Sequence, residues 1–141
     1  MSKLLVVDDD PDILETLVYA FEQEGFDVTA LSDGESALES ARETPPDIAV
    51  LDVMLPGLNG YEVSRLLKQE MRAERLAHFP ILMLTARRVG SDSRLEFLAT
   101  WSGADATMWK PYDLRLLLFR IRELLDGSTP TLTTTQTGES S

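Results

Sequence analysis

Five short apolar runs separated by stretches of helical period confine this chain to a parallel sheet covered by helices. Lys3 to Val7, Phe26 to Leu31, Ile48 to Leu51, Pro80 to Leu84 and Ala106 to Trp109 each read as a strand. Pro11 to Glu24 carries Ile13, Leu14, Leu17, Val18 and Phe21 at helical spacing, with Asp10 as N-cap, Pro11 at the first helical position and Gly25 as stop. A second helix opens at Ser32-Asp33-Gly34, carries Ala37, Leu38 and Ala41, and is ended by Pro45-Pro46. The turn Pro56-Gly57-Leu58-Asn59-Gly60 precedes a third, containing Val63, Leu66 and Leu67. A fourth is expected over Ser93 to Ser102, broken by Gly103, and a fifth over Asp113 to Leu125. Right-handed crossovers then place helices on both faces of a doubly wound α/β sheet and put ligand chemistry at the carboxyl ends of its strands.

Those carboxyl ends carry polar residues of complementary kinds. The first strand runs into Asp8-Asp9-Asp10, the third into Asp52, the fourth into Thr85-Ala86 and the fifth into Lys110-Pro111. Singly, each has an ordinary explanation as a helix cap, a turn former, a strand-end residue or a solvated charge. Jointly they place carboxylates, a hydroxyl donor and a cation around one point. Several carboxylates within a few ångströms stay ionised only beside a cation or fixed donors. Hard oxygen ligands with room for water suit Mg²⁺, which shares its shell readily with phosphate oxygens. Phosphoryl transfer is therefore the reaction class the pattern favours.

Composition narrows the alternatives. The 141 residues contain no cysteine, which fits one domain without disulfides or zinc thiolates in a reducing cytoplasm. No apolar stretch approaches membrane-spanning length, and Met1-Ser2-Lys3 leads into a strand rather than a cleavable signal. A soluble, cytoplasmic protein without membrane contact is expected. The net charge of −11 opposes binding of nucleic acid by this chain. From Asp126 to Ser141 the sequence is Ser/Thr-rich and nearly free of apolar residues, so it is expected to be a disordered tail or the start of a linker after a domain spanning 1–125. Neither a Gly-rich phosphate loop nor a dinucleotide fingerprint occurs.

Five segments, in order, carry a family resemblance: Leu5-Val6-Val7-Asp8-Asp9, Leu51-Asp52-Val53-Met54-Leu55-Pro56-Gly57-Leu58-Asn59-Gly60, Leu84-Thr85-Ala86, Gly103-Ala104-Asp105 and Lys110-Pro111. Over Lys3 to about Leu125 the chain resembles the receiver domain of two-component response regulators, whose CheY-like, flavodoxin-like sheet has strand order 2-1-3-4-5. The resemblance implies that Asp52 accepts a phosphoryl group from a phosphohistidine on a sensor histidine kinase or phosphotransfer protein. It implies Mg²⁺ held by Asp9, Asp52 and the Met54 backbone carbonyl, with Asp8 acting mainly through a metal-bound water. Thr85 would donate its hydroxyl to a phosphoryl oxygen, Ala86 would leave access to the acceptor, and Lys110, before a cis proline bond, would point its ammonium inward. Such a domain signals; it is not an enzyme beyond its own phosphorylation and dephosphorylation.

Two departures from the family pattern concern output. The family places Tyr or Phe three residues before the lysine, where this chain has Thr107. Strand alternation puts Trp109 on the same face as Thr107, so its indole is a candidate substitute, against the simpler reading that it only packs. In the last helix, Leu114, Leu117, Leu118, Ile121 and Leu125 make a core face, yet Leu116 and Phe119 fall toward the other side. The winged-helix subgroup pairs through helix 4, strand 5 and helix 5 with charged partners. Asp105 and Arg120 match that pattern, but Ala106 and Leu116 stand where other acids would. With Trp101 on helix 4, an apolar homodimer face is expected instead. His78 lies away from the acidic edge and is assigned no role, while Met54 and Arg87 occupy positions that tune dephosphorylation in the family.

Two other functions compete. A phosphorylation-independent pseudo-receiver binding module would keep the fold without the chemistry, and Thr107 is its main support. A haloacid-dehalogenase-type phosphatase also follows a strand with Asp-x-Asp, but this chain lacks the downstream acidic motif and room for a cap. If the chain is complete it signals by docking on a partner; if it is a fragment, a DNA-binding effector is the output the family suggests.

Overall fold

The computed structural model describes residues 1–86 and 93–127. Along the chain lie β1 (Lys3–Val7), α1 (Pro11–Gln23), β2 (Asp27–Leu31), α2 (Gly34–Glu43), β3 (Ile48–Asp52), α3 (Gly60–Arg72), β4 (Ile81–Ala86), α4 (Ser93–Ser102), β5 (Ala106–Lys110) and α5 (Leu114–Asp126). The strands form one parallel sheet in the order β2-β1-β3-β4-β5. Every expected element is present. Where boundaries moved, pairing decided them: β4 continues through Thr85 and Ala86 because these face Trp109 and Lys110 of β5, and β3 takes in Asp52 opposite Leu84. At the C-terminus, α5 includes Asp126 and ends on Gly127 in the left-handed conformation (φ 72°), so the break expected at Asp126 comes one residue later. The remainder of the tail, 128–141, lies outside the described residues.

Burial on both faces explains why β1, β3 and β4 read as continuous apolar runs, whereas the edge strand β2 is largely exposed. Leu5, Val7, Ala49, Leu51, Ile81 and Met83 pack toward α2 and α3 with Ala37, Ala41, Val63 and Leu67. Leu4, Val6, Ile48, Val50, Leu82 and Leu84 pack toward α1 and α5 with Leu17, Phe21, Leu117 and Ile121. Helix starts follow side-chain chemistry. Asp10 accepts from the amides of Asp12 (2.9 Å) and Ile13 (3.3 Å), and Asn59 and Glu62 form a reciprocal capping box that starts α3 at the end of the β3–α3 turn.

The turn between α4 and β5 is tied to α3, and this changes the expected roles of Asp105 and Trp101. Asp105 Oδ2 accepts from the Ile81 amide at 2.7 Å and from Lys68 Nζ at 2.6 Å, while its own amide donates to Ile81 O at 2.9 Å. Its carboxylate thus prolongs the β4–β5 ladder ahead of the start of β5 and has partners within the fold. Trp101 packs on the cluster beneath α3 and lies under the Arg65 guanidinium, 4.6 Å from the ring centroid, while Arg65 Nη1 donates to Trp101 O at 2.9 Å. Half-buried, it is thus engaged with α3 on one side. Ser64, fully buried, donates to Ser102 O at 3.0 Å and completes the attachment.

Replacing Asp105 with Ala strips the buried Ile81 amide of its acceptor and Lys68 of its partner. A loss of about 1–2 kcal/mol is expected in urea unfolding, with part of it recovered in Asp105→Asn, which keeps an acceptor oxygen.

Candidate functional site

At the carboxyl edge of the sheet, β1 and β3 are neighbours with Val7 opposite Leu51, so the residues that follow bring Asp8 and Asp52 side by side. Both are buried, Asp8 to 1% and Asp52 to 3% exposure. Asp9, next along the chain, turns outward. Carboxylate oxygens of Asp8, Asp9 and Asp52 all lie within 4.8 Å of one another. Lys110, at the end of β5 and before a cis peptide bond to Pro111, places Nζ 3.3 Å from Asp52 Oδ1 and 3.7 Å from Asp8 Oδ2. One ammonium thus faces two buried carboxylates and a third at the rim.

Burial dominates the acidity of Asp52. Burial, the largest cause, pushes the Asp52 carboxyl above its ordinary value of 3.8; Lys110 opposes this, Asp8 adds to it, and the Met54 amide, 3.3 Å from Oδ1, lowers it again. Asp8 shows a deficit of another kind. Its Oδ1 accepts from the Asp10 amide at 2.9 Å, but buried Oδ2 has no hydrogen-bond partner. An orphaned buried oxygen beside two further carboxylates is a donor set of hard oxygens, open on the Asp9 side, that suits a divalent cation and its water. The residues fit Mg²⁺.

Thr85 is buried and shares the face of Ile81 and Met83, whereas Ala86, one residue on, is exposed. The half-buried Tyr112 was not singled out in the sequence. Burial raises its pKa most, followed by the charges of Asp8 and Asp52, which sets it beside the same negative site. The signal available was its place directly after Lys110-Pro111.

A protein-family model described as the response regulator receiver domain matches residues 4–122. The chain belongs to this family. As a receiver domain it is 41% identical over 124 residues to the DNA-binding response regulator MtrA of Mycolicibacterium smegmatis, covering 88% of this chain and 50% of that protein. To the alkaline phosphatase synthesis transcriptional regulatory protein PhoP of Bacillus subtilis it is 44% identical over 127 residues, covering 90% and 50%. The chain thus spans about half the length of these relatives. Among solved structures, the receiver domain of a signal transduction histidine kinase from Syntrophus aciditrophicus superposes with a TM-score of 0.81 at 29% identity, covering 94% of this chain and 98% of that one.

The remaining positions divide clearly. Thr107 sits opposite Met83 and Trp109 opposite Thr85, on the face that would carry the family's switch ring. Leu116 and Phe119 are each 60% exposed on α5, as the helical pattern implied, and Phe97 on α4 is 64% exposed. Arg120 pairs with Glu123 on its own helix at 2.9 Å rather than with an acid positioned by β5. His78 is exposed, 3.6 Å from Glu74 and far from the carboxylates in the sheet's polarity. Arg87 lies outside the described residues, and no described helix is long and apolar enough to cross a membrane.

The raised pKa of Asp52 fixes a sign. The folded state holds the proton more tightly than the unfolded chain, so this carboxyl's contribution to stability is full below the ordinary value of 3.8 and is lost as pH rises through the folded value. Asp52→Asn is neutral throughout. Metal-free Asp52→Asn is therefore expected to melt higher than the unsubstituted protein at pH 7, with the difference shrinking as pH falls toward 4, as followed by circular dichroism.

Proposed function

We propose that Asp52 is the phosphoacceptor and that a sensor histidine kinase or phosphotransfer protein supplies the phosphoryl group. The observation that carries this reading is the buried Asp52 carboxylate, paired with Lys110 at 3.3 Å and clustered with Asp8 and Asp9. In the proposed reaction an Asp52 oxygen attacks phosphorus, the phosphorus–nitrogen bond to the donor histidine breaks, and an acyl phosphate forms as the imidazole leaves with the bond pair. A loose transition state asks mainly for positioning and charge neutralisation. Lys110 holds the acceptor oxygen and then the phosphoryl oxygens, Thr85 donates its hydroxyl to one of them, and small, exposed Ala86 leaves the approach open. Asp9, Asp52 and the Met54 carbonyl would hold Mg²⁺, with Asp8 acting through a water on its orphaned oxygen. Bound there, the ion supplies charge neutralisation for the incoming phosphate.

Output is carried over from the relatives as part of the proposal. Their names describe DNA-binding and transcriptional regulators, so phosphorylation of Asp52 would control a separate effector domain in the cytoplasm, with 126–141 as the start of the linker and 1–125 as the receiver. This chain's own surface, with 24 acids against 13 Lys and Arg, would not bind DNA directly. The proposed self-association runs through α4, β5 and α5 with Leu116 and Phe119 at its centre, since the charged pairing that would otherwise hold this face has Asp105 and Arg120 committed elsewhere. Thr107 favours one second reading, a pseudo-receiver that docks without phosphorylation.

Incubation with acetyl phosphate and Mg²⁺ is expected to add one phosphoryl mass to the intact protein and none to Asp52→Asn; equal labelling of the variant would move the acceptor, and no labelling of either folded protein would favour the pseudo-receiver. Leu116→Glu with Phe119→Glu is expected to shift the sedimentation profile toward monomer, and an unchanged profile would remove the proposed face.

A further inference from the structure

Resting on the reading of the acidic cluster as a Mg²⁺ site, we infer that Gly34, at the start of α2, is a positioning residue for that site, acting as the backstop of the β3–α3 loop. A Cβ built on Gly34 would lie 1.9 Å from Leu58 O and 2.8 Å from Leu58 C. No side chain fits there, so the backbones of α2 and the loop touch directly. A second contact lies beside it: Gly57, at φ 72°, has the Glu35 carboxylate 3.8 Å from where its Cβ would be. The tip of the loop therefore rests on the first turn of α2.

The loop is built so that pressure at its tip reaches the metal-binding end. Val53 O accepts from both Leu55 N (3.0 Å) and Gly60 N (2.9 Å), which closes residues 53–60 into a ring. One end is fixed, because Val53 N donates to Leu84 O at 3.0 Å. The other end is fixed too: a Cβ on Gly60 would lie 2.4 Å from Asp52 O, and Asn59 is engaged in the capping box of α3. On the opposite side, α2 is held in the core by the fully buried Ala37 and Ala41 and by Asp33, which accepts from the Ser36 amide at 2.7 Å. If a side chain at 34 pushes Leu58 away, the displacement falls on Met54 to Gly57, which are held only by the Leu55 amide on Val53 O, the buried Leu55 side chain and the Met54 amide on Asp52 Oδ1. That part contains the Met54 carbonyl assigned to the cation and the Met54 amide that donates to Asp52 Oδ1.

The test is Mn²⁺ binding, read by loss of the free-ion electron paramagnetic resonance signal, with Mg²⁺ as competitor. Gly34→Ala is expected to weaken affinity roughly tenfold, the scale typical of lost support behind metal ligands. Gly25→Ala serves as control: Gly25 has φ 91° with nothing within 4 Å of its Cβ position, so the substitution strains the backbone and lowers the melting temperature without changing affinity. Leu58→Gly releases the loop from the other side and is expected to weaken binding in the same direction, which keeps the inference testable if Gly34→Ala does not fold. A folded Gly34→Ala, or failing that a Leu58→Gly, with the affinity of the unsubstituted protein would overturn the role of Gly34 while leaving the metal site standing. If the unsubstituted protein binds no Mn²⁺, the metal site fails and this inference falls with it.

Discussion

Two buried carboxylates against one ammonium is the constraint on which the rest of this structure depends. Asp8 and Asp52 lie at the ends of adjacent strands and are nearly inaccessible to water, and among the described residues only Lys110 lies within ion-pair distance of both. In a low-dielectric site that deficit is costly unless a further cation or donor arrives. A site that is unfavourable when empty and favourable when a hard cation and a phosphate fill it is suited to switching, because occupancy changes the energy of the whole carboxyl edge. Its proximity to Tyr112 extends the same field to the start of the segment that leads into α5.

The frame around this edge is uneven. Along α3, Ser64, Arg65 and Lys68 reach across to the end of α4 and the turn before β5, and Asp105 joins that turn to β4 through both its side chain and its backbone. These ties fix the α4–β5 turn from the α3 side. The apolar residues left outward, Phe97, Leu116 and Phe119, belong to α4 and α5 and take no part in the ties. The face proposed for association is thus borne on helices whose inner sides are firmly placed, and Thr107 and Trp109 lie on the strand beneath, in register with Met83 and Thr85.

Most of the fold was legible because β1, β3 and β4 are buried on both faces and the starts of α1, α2, α3 and α5 carry side-chain caps. Asp10 and Pro11 announce the start of α1 in the sequence and perform that role in the structure, whereas the Asn59–Glu62 capping box of α3 came to light only in the structure. Thr85 and Lys110 were placed just past Leu84 and Trp109, whereas pairing takes Thr85 into β4 and makes Lys110 the last residue of β5; an apolar pattern cannot show where pairing continues past the last apolar residue. The contacts of Asp105 and Trp101 within the chain were not legible, for a tertiary reason. Their partners, Lys68, Ile81 and Arg65, lie 24 to 37 positions away in the chain and become neighbours only when the sheet forms. The backbone contact at Gly34 was equally invisible, since it depends on how closely two loops approach.

The central claim is that phosphoryl chemistry takes place on Asp52. Its most direct test is to phosphorylate the chain with acetyl phosphate and Mg²⁺, reduce the acyl phosphate with borohydride, and locate the resulting homoserine by peptide mass spectrometry. The account predicts homoserine at position 52 and nowhere else. Homoserine at Asp8 or Asp9, or none in a protein that has gained phosphate, would contradict it.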